Sequence, residues 1–265
     1  MKKFMKCSAV IALILLLAGL AMAFIAGSVE GVSKVNEMVE TVTGGRIQLN
    51  LPKPLYDIDD NVIFEGGYEV FSGDVEKYAV GSGVDGMDIE AGGCAFYCKA
   101  SDDGNFYVEA ENAGKFQCYI LDDVLYVKTI HAATDWKHYN DSEIVLYVPE
   151  GYSFEKVDVN LGAGLLELVD IAATEMNLEV GAGQILAEHI QTQNINAKCS
   201  MGALELKLTG AAEEFNYMVE AAMGNVTIDG ESYSGLAQDK VIENHAGKNM
   251  NVECSMGDIQ VEFED

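Results

Sequence analysis

One twelve-residue pattern is written five times in the second half of the chain, and it constrains the fold more than any other feature. It reads VDVNLGAGLLEL from Val157, MNLEVGAGQILA from Met176, INAKCSMGALEL from Ile195, YMVEAAMGNVTI from Tyr217 and MNVECSMGDIQV from Met250. The shared glycines, Gly164, Gly183, Gly202, Gly224 and Gly257, follow one another at steps of 19, 19, 22 and 33 residues. Self-similarity near such a period marks stacked units, none of which buries its apolar side alone.

Counted from zero, positions 0, 2 and 4 of each copy are almost all apolar, as in Val157, Val159 and Leu161 or Ile195, Ala197 and Cys199. Positions 1 and 3 are mostly polar, as in Asp158 and Asn160 or Asn196 and Lys198. One face of a pleated strand is then buried and the other wet. Position 6 (Ala163, Ala182, Met201, Met223, Met256) is apolar and reads as inward, and apolar residues resume at positions 9 and 11, such as Leu166 and Leu168. The parity has shifted by one, which would turn the second strand inside out unless the backbone bends or bulges between them. Glycine at position 7 supplies the bend, because without a Cβ it reaches positive φ cheaply and lets the next coil pack closely. The five glycines are therefore read as structural corners. The expected fold class is all-β, a β-solenoid of stacked short-strand coils. The longest step, through residues 229–249, is an expected loop or capping flap.

Between Arg46 and Pro149 the apolar period is two, with candidate strands IQLNL, NVIF, YEVF, EKYAV, MDIEA, NFYVEAE, KFQCYI, VLYVKT and EIVLYVP. Asp103-Gly104, Ala113-Gly114-Lys115 and Asp122-Asp123 carry turn chemistry between them. Pro52, Pro54 and Pro149 lie at strand ends or outside strands. This portion is expected to be antiparallel. MDIEAGGCAFYC from Met87 reads as an imperfect sixth cassette, with Cys94 where the last glycine would stand.

The chain starts with Lys2, Lys3 and Lys6, followed by an uncharged apolar run over residues 7–27. A run of about 20 apolar residues is long enough to span a bilayer as a helix, and the lysines place the N-terminus in the cytoplasm and the rest outside. The rival reading is a cleaved signal peptide and a secreted product, because Ala21-Met22-Ala23 fits a small-x-small cleavage site. The expected organisation is a membrane anchor or signal segment at 1–27, a stalk or linker at 28–44, and a β-strand-repeat domain at 45–265.

With 43 acidic against 16 basic side chains the formal charge is −27. Nucleic acid is excluded as a partner, since phosphate binding needs a cationic face. Such acidity reads as a solvated, self-repelling surface. Cys7 lies in the leader, and Cys94, Cys98, Cys118, Cys199 and Cys254 are too sparse for a disulfide scaffold; one bridge among Cys94, Cys98 and Cys118 stays open.

Cys199-Ser200-Met201 and Cys254-Ser255-Met256 share a C-x-M spacing that could chelate a soft metal such as Cu(I), but their inward positions read as core packing. If the coils stack in chain order, Cys199 and Cys254 are separated by the coil of Ala221, about 9.6 Å apart, too far for a disulfide. Asp57, Asp59 and Asn61 begin like a calcium loop, but Val62 stands where glycine is required and Tyr68 where a bidentate glutamate should be. The cassette glycines lack any phosphate-loop context. His131, His138, His189 and His245 show no paired metal spacing, and there is no G-x-S-x-G nucleophile motif. No cofactor, metal or catalytic residue is assigned, and an enzyme is not expected.

The run EIVLYVPEGYSFEKVDVNLGAG, the repeated GAG and SMG cassettes and the YSGL…NHAGKNMNVECSMGDIQV ending resemble the bacterial putative-adhesin family, β-strand-repeat domains of unknown function. The likeness runs from about Gly83 to Phe263. It implies a β-solenoid exposed at a bacterial surface and brings no ligand and no catalytic residues. The expected function is a membrane-anchored extracytoplasmic binding or structural module; the alternative is an accessory sensory subunit of an envelope-stress or membrane regulatory system. Contacts then fall to wet positions 1, 3, 8 and 10 or to the 229–249 excursion.

Overall fold

The computed structural model describes residues 64–101, 104–130, 142–233 and 238–264. The leader, the stalk, Asp57, Asp59, Asn61, His131 and His138 lie outside these. Among the described residues no helix is long and apolar enough to cross a membrane.

The described chain is all β apart from one 3-10 turn at Ala212–Glu214. Its strands pair into one continuous sheet folded into two layers around a single apolar core. The front layer runs β5 (Val124–Ile130), β2 (Gly86–Ala91), β7 (Ser153–Leu161), β9 (Ala172–Val180), the second part of β10 (Gln184–Cys199), β16 (Lys248–Cys254), β12 (Phe215–Ala221) and β15 (Gln238–Ile242). The back layer runs β6 (Glu143–Pro149), β3 (Cys94–Ser101), β8 (Gly164–Val169), the first part of β10, β11 (Ala203–Thr209), β17 (Asp258–Glu264), β13 (Asn225–Ile228) and β14 (Glu231–Ser232). Alternation explains the layers: Val157, Val159 and Leu161 from the front and Leu166 and Leu168 from the back are all at most 3% exposed.

The strands close into a nine-stranded barrel, which corrects the expected solenoid. Two long strands make the closure. In β4 (Phe106–Leu121), residues 107–111 pair with β6 and residues 115–121 with β5, so this strand passes from the back layer to the front. In β10, residues 184–188 pair with β8 and residues 191–199 with β9. Following partners through β4, β5, β2, β7, β9, β10, β8, β3 and β6 returns to β4. Sequence periodicity reports which face of each strand is buried; it does not report that one strand bends across both layers.

The N-terminal portion is mixed rather than antiparallel. β1 (Phe71–Gly81), β5 and β6 pair antiparallel with β4, but β2 pairs parallel with β5 and β7, and β3 parallel with β6 and β8. Asp122 and Asp123, both at positive φ, form the β4–β5 hairpin. The turn expected at Ala113-Gly114-Lys115 is instead continuous strand, bent at Asn112 (φ 48°). MDIEAGGCAFYC lies in cassette register: Met87, Ile89 and Ala91 face Val157, Val159 and Leu161, and Cys94 faces Gly164.

Chain order is not the spatial order of the coils. The last copy, β16 with β17, lies between the coil of β10 and β11 and that of β12 and β13. Cys199 is thus the direct register partner of Cys254, and Ala221 lies beyond it. The 229–249 excursion carries β14 and β15, antiparallel additions outside β13 and β12, instead of a loop or flap.

Candidate binding surface

Each coil turns twice, and the two corners are built differently. At the first, GAG or SMG, a Cβ on Gly183 would lie 2.7 Å from Gly164 O, on Gly202 2.2 Å from Gly183 O, and on Gly257 2.4 Å from Gly202 O. A Cβ on Gly224 would meet Cys254 Sγ at 2.3 Å and Gly257 O at 2.9 Å, and one on Gly164 would meet Cys94 O at 2.3 Å. Close approach of neighbouring coils therefore excludes side chains here. Positive φ, the other property expected of these glycines, occurs only at Gly164 among the five (φ 113°).

The second corner is where the left-handed conformation is used. Gly151 (φ 70°), Asp170 (φ 58°), His189 (φ 55°) and Gly210 (φ 114°) turn the chain from the back layer to the front. Asp and His are among the few side chains that tolerate this region, and no glycine pattern announces them. Along this row runs a groove of about 540 Å³. Tyr152 and the buried Val148 and Ile171 form its apolar floor, and Lys99, Glu150, Ser153, Asp170, His189, Gln191 and Thr209 its polar part. Tyr152 is held from below by hydrogen bonds with the backbone of Val84. His189 is framed by carboxylates: its backbone N–H donates to Glu264 Oε1 at 3.0 Å, ring Nδ1 lies 3.4 Å from Asp170 Oδ1, and ring Nε2 lies 3.7 Å from Glu264 Oε1. The volume falls within the range of ligand clefts.

The wet positions of the front layer form ladders. Asp88, Asp158, Asn177, Asn196 and Asn251 stand in one row. Asn177 Nδ2 donates to Asp158 Oδ1 (2.7 Å), Asn196 Nδ2 to Asn177 Oδ1 (2.6 Å) and Asn251 Nδ2 to Asn196 Oδ1 (2.8 Å). At the row's end burial, then Glu90 and Asp158, push the Asp88 carboxyl up to about 6, against the pull of Lys128 and Lys156.

Position 6 corrects the inward reading. Met201, Met256 and Met223 are 39%, 42% and 65% exposed, while Cys199 and Cys254 are each 2% exposed. The corner turns the chain over between them, so neither C-x-M pair points both sulfurs the same way. All five cysteines of the described residues are free and buried. Burial pushes the Cys98 and Cys118 thiols well above the usual range and Cys94 up to about 11. Among the described residues no group of three or more His, Cys, Asp or Glu gathers as a metal site.

An all-β barrel with glycine-packed corners and a groove along its second corner row defines the class of protein. Residues 88–265 match the family model described as Toastrack DUF4097, and the chain belongs to that family. Solved structures similar to it include a putative cell adhesion protein from Clostridium sporogenes (14% identity, 74% of this chain and 100% of that one, TM-score 0.48). A putative adhesin from Bacteroides fragilis (11%, 74% and 98%, 0.35) and a putative lipid binding protein from Parabacteroides distasonis (13%, 74% and 97%, 0.30) are also similar. The search of curated proteins finds no match.

Proposed function

We propose that this chain is a non-enzymatic binding module on the outer side of a bacterial membrane, held there through its N-terminal leader, and that it binds a polyhydroxylated ligand, a surface carbohydrate. The second-corner groove is the observation that carries the reading. Ser153, Gln191 and Thr209 offer neutral donors and acceptors to hydroxyls beside the carboxylates of Glu150 and Asp170, and the half-buried Tyr152 offers apolar surface to a sugar ring. The lysines ahead of the apolar leader support outward display of the domain.

The test uses the purified full-length chain and isolated bacterial cell-wall polysaccharide. Saturable binding is expected, weakened roughly 10-fold or more by Gln191→Ala with Lys99→Ala, a loss of about 1.4 kcal/mol or more, and unchanged by Asn196→Ala on the front layer. Equal binding by all three proteins, no binding, or turnover of the polysaccharide overturns the reading. Protease treatment of intact cells, followed by mass spectrometry of the retained N-terminal peptide, checks the topology.

A further inference from the structure

Cys199 and Cys254, separated by a whole coil in sequence, are direct register partners on adjacent parallel strands. We propose that these two thiols form a two-coordinate site for a soft monovalent cation, Cu(I) or Ag(I), inside the first-corner stack. The proposal goes beyond the carbohydrate groove, which lies along the other corner row, and stands or falls separately from it.

Spacing is the first argument. Neighbouring strands stand about 4.8 Å apart, which two metal–thiolate bonds of about 2.3 Å each span almost without adjustment. A disulfide needs an S–S distance near 2.05 Å and Cβ atoms about 3.8 Å apart, so the two coils would have to pinch together. Carbonyl contacts already pack the corner: a Cβ on Gly257 would lie 2.4 Å from Gly202 O.

The sulfurs are also placed by the corner glycines. Cys199 Sγ fills the notch left by Gly257, 2.3 Å from where a Cβ would stand, and Cys254 Sγ fills the one left by Gly224 at the same distance. Cys199 Sγ donates to Gly202 O at 3.1 Å. Thiolate is the metal-binding form, so a bound cation takes the place of the thiol protons. Soft thiolates select Cu(I) over harder cations.

Binding releases both thiol protons to solvent and leaves a linear bis-thiolate complex of net charge −1, with no electron transfer. Met256 N–H bonds to Ser200 O and Met223 N–H to Ser255 O, both at 2.8 Å, so the exposed Met201, Met256 and Met223 stack at the corner outside the cysteines.

The test is anaerobic titration of the reduced full-length chain with Cu(I) against a chromophoric Cu(I) chelator, repeated with Ag(I), and X-ray absorption of the loaded protein. One equivalent per chain with two sulfur ligands is expected. Cys199→Ala and Cys254→Ala should each abolish stoichiometric uptake, and Cys98→Ala should retain it. Should an alanine variant fail to fold by circular dichroism, thiol labelling of the wild-type chain decides, with loading expected to protect Cys199 and Cys254 alone. No uptake, equal uptake by a variant carrying both Cys199→Ala and Cys254→Ala, or a Cys199–Cys254 disulfide in peptide maps of the unreduced protein overturns the proposal.

Discussion

At Gly202 the added atom of any other residue would stand 2.2 Å from Gly183 O and 3.0 Å from Val180 Cγ2. Backbone on one side and a fully buried side chain on the other leave little room to yield. Gly202→Val is therefore expected to destabilise by about 3 kcal/mol. Lys198→Thr removes only an exposed ion pair, 3.1 Å to Glu253, and should cost less than about 1 kcal/mol. Urea denaturation of both variants checks this; equal stability would remove the corner role from Gly202. Asp88 makes a pH prediction. Its folded pKa of about 6 lies above the ordinary aspartate value of 3.8, so the folded state holds more protons and stability falls as pH rises between those values. Asp88→Asn keeps the shape and offers an amide to Asp158. With partial solvent screening it should stabilise at pH 7 by about 1 kcal/mol and lose that advantage near pH 4, read from denaturation curves at both pH values.

The element that sequence order misplaces is the last coil. Read along the chain, β16 and β17 end the stack, and their acidic tail would guard an open edge. In the structure they pair on both sides, and β15 and β14 are the outer strands. β15 is short and carries Asp239 and Lys240 just before the 64%-exposed Val241, a composition that discourages edge pairing. Hydrogen exchange separates the two orders: the amides of Val252 and Cys254 should be as protected as those of Ala197 and Cys199, and those of β15 should exchange first. Fast exchange throughout β16 would restore chain order. Parity could not reveal this, because every copy carries the same inward residues and any two copies can stack. Turn chemistry was legible only where local residues decide it, as at Asp122-Asp123; the Asn112 bend and the left-handed Asp170 and His189 carry no glycine and were missed.

For the molecule as a whole, 43 acidic side chains against 16 basic ones make net repulsion the dominant long-range electrostatic effect. Raising ionic strength from ~0.01 to ~0.15 M shortens the screening length from about 30 to about 8 Å. The melting temperature should therefore rise by about 2–4 °C, as for a gain of about 1 kcal/mol; a fall would mean that ion pairs such as Lys156 with Asp158 outweigh the repulsion. By itself the sequence determined the all-β class, the buried face of every cassette strand, the five crowded glycines and the family, because strand alternation and the need for a missing Cβ are local properties. Tertiary structure alone decided the rest. The barrel closes because β4 and β10 bend across both layers. The second corners of Gly151, Asp170, His189 and Gly210 line up as a groove only when their coils are stacked. Cys199 meets Cys254 because hydrogen-bonded register, which depends on which coil lies beside which, is a property of pairs of strands and is written in neither strand alone.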